Sequence, residues 1–178
     1  MSYGVVRTDN MYATDVRGGG LVSIKYIVTE NAGQANETKT ETAIENGCVL
    51  KIGDLMDGQR EVYEGTAPAK GDALGDLCLI ATPELMYDER KHDLDEFINE
   101  AGKIARGYRF HHADTFSLTA DAFETALSEI AVGNIIELQN NKTKMKVVAS
   151  ATASTTTVGK IIAIEQAGKY TYYVICVA

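Results

Sequence analysis

The chain has 178 residues, of which 45% are hydrophobic, and this is enough for one domain with a sizeable core. Its 17 Lys and Arg against 25 Asp and Glu leave a net charge of −8. This composition excludes a disordered tail, and the acidity disfavours nucleic-acid binding, which needs clustered Lys and Arg. The chain also lacks a signal-peptide pattern and any run of about 18 apolar residues, so we predict no membrane contact.

The first twenty residues predict an extended N-terminal arm. Apolar and aromatic side chains alternate irregularly with polar ones up to Gly18, Gly19 and Gly20, with neither helical nor strand periodicity. We expect such an arm to lie against its own domain or against a partner, and an ordinary first strand or a frayed terminus is the alternative.

Residues 21–178 predict a single β-rich domain. It opens with a strand over Leu21–Val28, which is followed by an exposed, mobile loop over residues 29–42 that holds no apolar residue larger than Ala. Asp57-Gly58 predicts a tight hairpin turn. Further strands are predicted at Cys48–Ile52, Arg60–Tyr63, Leu77–Thr82, Ala105–Phe110, Thr115–Thr119, Ile135–Leu138, Thr143–Ser150, Val158–Gln166 and Lys169–Val177.

The fold class predicted from these elements is mainly β, a small antiparallel barrel or sandwich with one or two short helices. The helices are expected near residues 84–100 and 120–130, and the last four strands should form an antiparallel meander. A Val-Gly-x-Ile-Ile pattern occurs twice, at Val132 and again at Val158. The repeat predicts two strands that begin at the same kind of glycine turn.

Candidate chemistry is sparse. Glu89, His92, Asp93 and Glu96 would share one face of a helix and make a metal site geometrically possible, but a solvated amphipathic helix explains the same residues. His111 and His112 would point to opposite faces of a strand and could not bind one ion together. Nucleophile elbows and phosphate-binding loops are absent from the sequence, so we predict no catalytic residue, metal or cofactor.

Three cysteines, Cys48, Cys78 and Cys176, are widely spaced among apolar neighbours and predict buried free thiols of a protein made in a reducing cytoplasm. Near the C-terminus, Tyr170, Tyr172 and Tyr173 have two interpretations. They could form part of a protein interface, or Tyr170 and Tyr172 could lie on the wetter face of a sheet with Tyr173 in the core.

Three stretches resemble the head decoration, or cement, proteins of tailed bacteriophages. They are the opening MSYGVVRTDNMYATDVRGGGLVSIKY, the block LIATPELMYDERKHDLDEFINEAGKIARGY with the later DTFSLTADAF, and the closing VGKIIAIEQAGKYTYYVICV. The resemblance implies a non-enzymatic protein that binds the outer surface of a capsid and stabilises it. It further implies that the major capsid protein is the partner, that the protein associates as a trimer, and that it is made in the bacterial host cytoplasm and ends in the virion.

By position, residues 2–17 correspond to the arm with which many such proteins cross capsomer boundaries. Apolar anchors and arginines dominate interface energies, so particular arm residues are predicted to contact the capsid or a neighbouring subunit. They are Tyr3, Val5, Val6, Arg7, Met11, Tyr12, Val16 and Arg17. Two alternatives stay open: another virion component, such as a head-tail connector or tail protein, and a metal-dependent enzyme that uses the 89–96 cluster.

Overall fold

The computed structural model describes residues 5–6, 20–84, 97–125 and 127–178. Within these ranges the backbone forms twelve strands and two short 3₁₀ helices, Leu74–Asp76 and Ala120–Ala122. The strands are β1 (Leu21–Glu30), β2 (Thr38–Glu41), β3 (Val49–Leu55), β4 (Val62–Thr66), β5 (Leu77–Ile80), β6 (Ala105–Arg109), β7 (Thr115–Leu118), β8 (Phe123–Thr125), β9 (Ile135–Glu137), β10 (Met145–Val148), β11 (Thr157–Ala167) and β12 (Tyr170–Val177).

Five strands close into a barrel in the order β1-β4-β3-β5-β6, and β6 returns to pair with β1. The β1–β4 pair is parallel, whereas the other neighbours are antiparallel. β2 extends the barrel wall by pairing with the distal half of β1, where Val28 faces Thr40. A closed barrel leaves no free edge except at such an extension.

Alternation along β5 divides the core in two. Cys78 and Ile80 point into the barrel, while Leu77 and Leu79 point outward beneath the second sheet. Two wall positions, Gly65 and Gly107, are glycines whose missing Cβ atoms leave room for interior side chains. A Cβ on Gly65 would lie 2.8 Å from Ile24. The buried interior residues are Val22, Ile24, Ile44, Cys48, Leu50, Cys78, Ile80 and Ala105.

The second sheet is a curled half-barrel in the order β7-β12-β11-β9-β10-β8. Its inner face packs on the outer wall of β3 and β5 and forms the larger core. Backbone hydrogen bonds join the two parts: the Val49 N–H donates to the Thr143 carbonyl at 2.7 Å, and the Thr156 N–H donates to the Lys70 carbonyl at 2.7 Å. The barrel and the second sheet therefore share one continuous packed interface.

The mainly β fold class is confirmed, and the Asp57-Gly58 turn is present, with Gly58 at a φ of +72°. The polar stretch 29–42 differs from the predicted loop, because Thr38–Glu41 forms β2. A fully exposed strand is possible here because pairing uses backbone groups, and ion pairs Lys25–Glu41 and Lys39–Glu64 cross its outer surface.

The predicted helices and meander need correction. Over 120–130 the chain makes one 3₁₀ turn and then the short strand β8, because Phe123 enters the core and pairs with Met145 in β10. Of the predicted helix near 84–100, residues 85–96 lie outside the described ranges, and Asn99 forms an isolated β-bridge with Ile44. The last four strands are not a simple meander, since β9 lies between β10 and β11.

Candidate functional site

Two of the predicted arm contacts lie within the described ranges, and both pack on their own domain. Val6 forms an antiparallel bridge with Leu118 at the edge of β7, and the Thr119 N–H donates to the Val5 carbonyl at 3.1 Å. The Val6 side chain is 2% exposed and belongs to the larger core. Val5 and Val6 therefore contact the domain of their own chain. The other predicted contacts, Tyr3, Arg7, Met11, Tyr12, Val16 and Arg17, lie outside the described residues.

Gly47 makes room for this N-terminal segment. It has a φ of +85°, and a Cβ there would lie 2.8 Å from Cγ1 of Val5 and 3.0 Å from Cβ of Ala122. Both the left-handed backbone and the close contact require glycine at this position. Gly47 therefore leaves a space beside Ala122, here called the slot, that the Val5 side chain fills.

Three large apolar side chains on or beside β11 are exposed and are here called the β11 patch: Val132, Ile162 and Ile164, which are 58%, 49% and 41% exposed. The Gly133 N–H donates to the Ile161 carbonyl at 2.8 Å, so the turn that carries Val132 lies beside Ile162. Pairing between β11 and β9 ends at Lys160, and the register with β12 shifts between Ile161 and Ala163. Ile162 and Ile164 thus lie on the part of the β11–β12 hairpin that extends past β9, and Val132 lies on the turn before β9.

The sequence pattern did not reveal this patch. The isoleucines at 161, 162 and 164 leave little room for a polar face and predict a central hairpin; β11 and β12 do lie inside the second sheet, and Ile161 is fully buried. The bulge inserts Ile162 as an extra residue, which disrupts the alternation of side chains beyond it. A bulge depends on the pairing of two strands, so the local sequence gave no signal for it.

Tyr173 packs on the core, as one interpretation of the sequence expects, but Tyr172 does not lie on a wetter face. Tyr172 is fully buried although it lies on the side of β12 opposite Ile175, and its ring centroid is 6.2 Å from that of Tyr170. Tyr173 is half-buried against the larger core and meets Phe123 edge-on at 6.3 Å. Tyr172 is therefore closed to a partner, and Tyr173 contributes mainly to packing.

The histidines and acidic residues do not assemble a metal site in the part of the chain that the structure describes. His111 Nδ1 lies 3.5 Å from Oδ2 of Asp114, and His112 is exposed. Both histidines follow the end of β6, so they do not lie on opposite faces of a strand as expected. The alternative metal cluster, Glu89, His92, Asp93 and Glu96, lies outside the described residues.

The cysteines are free thiols; Cys48 and Cys78 are buried, and Cys176 is partly so. Burial raises the pKa of Cys48 and raises the pKa of Cys78 to about 12. A thiol in this state is a poor nucleophile at neutral pH because the thiolate is the reactive form. The two barrel cysteines therefore act as small core residues.

We expect Cys78 to resist alkylation by iodoacetamide in the native protein at pH 8, whereas it should react fully after unfolding in guanidinium chloride. Its native pKa lies above that of an unfolded thiol, so its contribution to stability should be intact below about pH 9 and be lost as pH rises toward 12. Peptide mapping by mass spectrometry measures the labelling. Equal labelling rates of Cys78 in native and unfolded protein would contradict a closed barrel interior.

Comparison with known proteins gives no relationship: no protein-family model matches the chain, and no curated protein matches it in sequence. Among the described residues, no helix has the length and hydropathy needed to cross a lipid bilayer.

Proposed function

We propose that this protein is a non-enzymatic decoration protein, which binds the outer surface of a tailed-phage capsid through the major capsid protein and stabilises the shell. The observation that carries the proposal is the β11 patch. Large apolar side chains that stay exposed together on a folded domain are typical of protein contact sites. The resemblance of the sequence to capsid decoration proteins supports the choice of partner.

The position of the patch suits this role. Ile162 and Ile164 belong to the longest strand pair of the second sheet, in which eight residues of β11 face residues of β12. A contact surface on such a ladder needs little ordering when it binds, which reduces the entropic cost of association. Many copies on one shell would then add avidity to a modest single contact.

The N-terminal arm is the second proposed contact with the capsid or with a neighbouring copy. Val5 and Val6 hold the N-terminal segment on the edge of β7. Tyr3, Arg7, Met11, Tyr12, Val16 and Arg17 stay predicted contacts with the capsid or with a neighbouring copy, and trimerisation is proposed with them. The acidic surface, with a net charge of −8, favours the outside of the shell over a lumen that holds packaged DNA.

Co-sedimentation with empty shells of the phage whose genome encodes the chain tests the proposal. We expect saturable binding near one copy per capsid subunit. The double variant Ile162→Ser and Ile164→Ser should weaken binding by at least about tenfold, since apolar anchors carry most of an interface's energy. Leu55→Ser is the matched control, because Leu55 is 46% exposed but lies on the barrel strand β3.

The outcomes separate the candidates. Binding that the patch variant loses and the Leu55→Ser control keeps would support decoration through the β11 patch. A single ring of copies per particle would indicate a connector or tail component instead. Absence of binding at all protein concentrations would exclude a decoration role for this shell.

A further inference from the structure

A cleft opens on the barrel wall where β1 meets β6, far along the chain from the β11 patch. Its volume is about 330 Å³. Two of its apolar side chains, Leu21 and Ile104, are 57% and 51% exposed. Its apolar lining includes Leu21, Pro83 and Ile104, and its polar lining is Ser23, Thr82 and Arg106.

The polar side chains that line the cleft can donate further hydrogen bonds to an occupant. The Arg106 backbone N–H donates to Oγ1 of Thr82 at 2.9 Å, so the Thr82 hydroxyl keeps its own proton for another acceptor. Within the described ranges, the Arg106 guanidinium and the Ser23 hydroxyl make no hydrogen bond or ion pair to another side chain. None of the described residues that line the cleft carries a carboxylate.

This combination selects the chemistry of an occupant. Two hydroxyl donors and one guanidinium match a group that only accepts hydrogen bonds and carries negative charge, and a carboxylate is such a group. The exposed Leu21 and Ile104 add an apolar surface beside it. A nucleic-acid backbone fits poorly, because it requires a row of cations and the part of the lining that the structure describes supplies one, Arg106.

We propose that this cleft binds a peptide segment of a partner protein in which a carboxylate lies next to an apolar side chain. Arg106 pairs with the carboxylate, Ser23 and Thr82 donate to its remaining lone pairs, and Leu21 and Ile104 cover the apolar neighbour.

The test is an NMR titration of the full chain with acetyl-Leu-Asp-Leu-amide, compared with acetyl-Leu-Asn-Leu-amide. We expect saturable amide shifts around residues 21–23, 82 and 104–106 with the Asp peptide. Arg106→Gln should weaken its binding by at least about tenfold, because a hydrogen-bonded charge is lost. Arg60→Gln removes the same charge from an exposed position between β3 and β4 and should leave binding unchanged.

Ile104→Ser separates the apolar contribution and should also weaken binding, while the spectrum of each variant shows whether the fold is kept. Equal affinity for the Asp and Asn peptides would overturn the proposal, since recognition would then not involve the charge. Absence of saturable shifts up to the solubility limit of the Asp peptide, or shifts confined to residues away from the cleft, would overturn it as well.

Discussion

Gly159→Ala is expected to destabilise the protein by about 3 kcal/mol or more, enough to threaten folding. A Cβ on Gly159 would lie 2.3 Å from the carbonyl oxygen of Cys176 and 2.9 Å from Cγ2 of Ile175. The first contact is with backbone of the paired strand, which cannot rotate away as a side chain can. The β11–β12 ladder would have to separate at the position where Gly159 faces Val177.

Urea unfolding followed by far-UV circular dichroism measures this effect. Gly75→Ala is the matched control, because a Cβ on Gly75 meets no atom within 4 Å and its φ is not in the left-handed region. We expect the control to stay within about 0.5 kcal/mol of the parent protein. If Gly159→Ala unfolds at the same urea concentration as Gly75→Ala, the result would contradict the close approach of β11 to β12 at Gly159.

Asn46→Ala is expected to cost about 3 kcal/mol of unfolding free energy, since it leaves several polar groups unpaired at one end of the barrel. The buried Asn46 amide donates to the Thr82 carbonyl at 2.9 Å, and its Oδ1 accepts the Thr82 N–H at 3.0 Å. Oδ1 also accepts from the buried Asn99 amide at 3.2 Å. One side chain thus joins the Ile44–Asn99 bridge to the end of β5.

Two further variants isolate this network in the same urea experiment. Asn36→Ala removes an exposed asparagine from the β1–β2 connection and should be near neutral. Asn46→Asp keeps the shape but turns a carboxylate toward the Thr82 carbonyl and the Glu84 carboxylate. It should be destabilised at pH 7 and regain stability as pH falls, because a protonated carboxyl group can donate again. A pH-independent Asn46→Asp variant as stable as the parent would contradict the network.

Local pattern predicted most of the strands, because alternating and β-branched residues show the two faces of a strand directly. Leu21–Val28 and Lys169–Val177 fall almost entirely within β1 and β12. The β2 strand could not be predicted, since all four of its residues are exposed and polar and the pairing is made by the backbone. The helix near 120–130 was overpredicted because the burial of Phe123 depends on β10, about twenty residues further on.

The candidate surfaces were harder to foresee. The N-terminal arm stays a prediction from apolar residues without periodicity, and the burial of Val6 depends on the edge of β7 and on the space that Gly47 leaves. The cleft gathers Leu21, Thr82 and Ile104 from three separate parts of the chain. Closure of the barrel, which brings β6 back to β1, is what puts them together.

The repeated Val-Gly-x-Ile-Ile pattern shows which features the sequence by itself determined and which it did not. It determined that strand residues with a buried isoleucine follow each glycine in the chain, and Ile136 and Ile161 are both fully buried. Gly133 has a φ of +96° and turns the chain into β9, as predicted. Gly159 lies inside β11 instead, and the strand it must fit, β12, is known only from the tertiary structure. Backbone conformation is a local property, whereas the approach of another strand is decided by packing across the sheet.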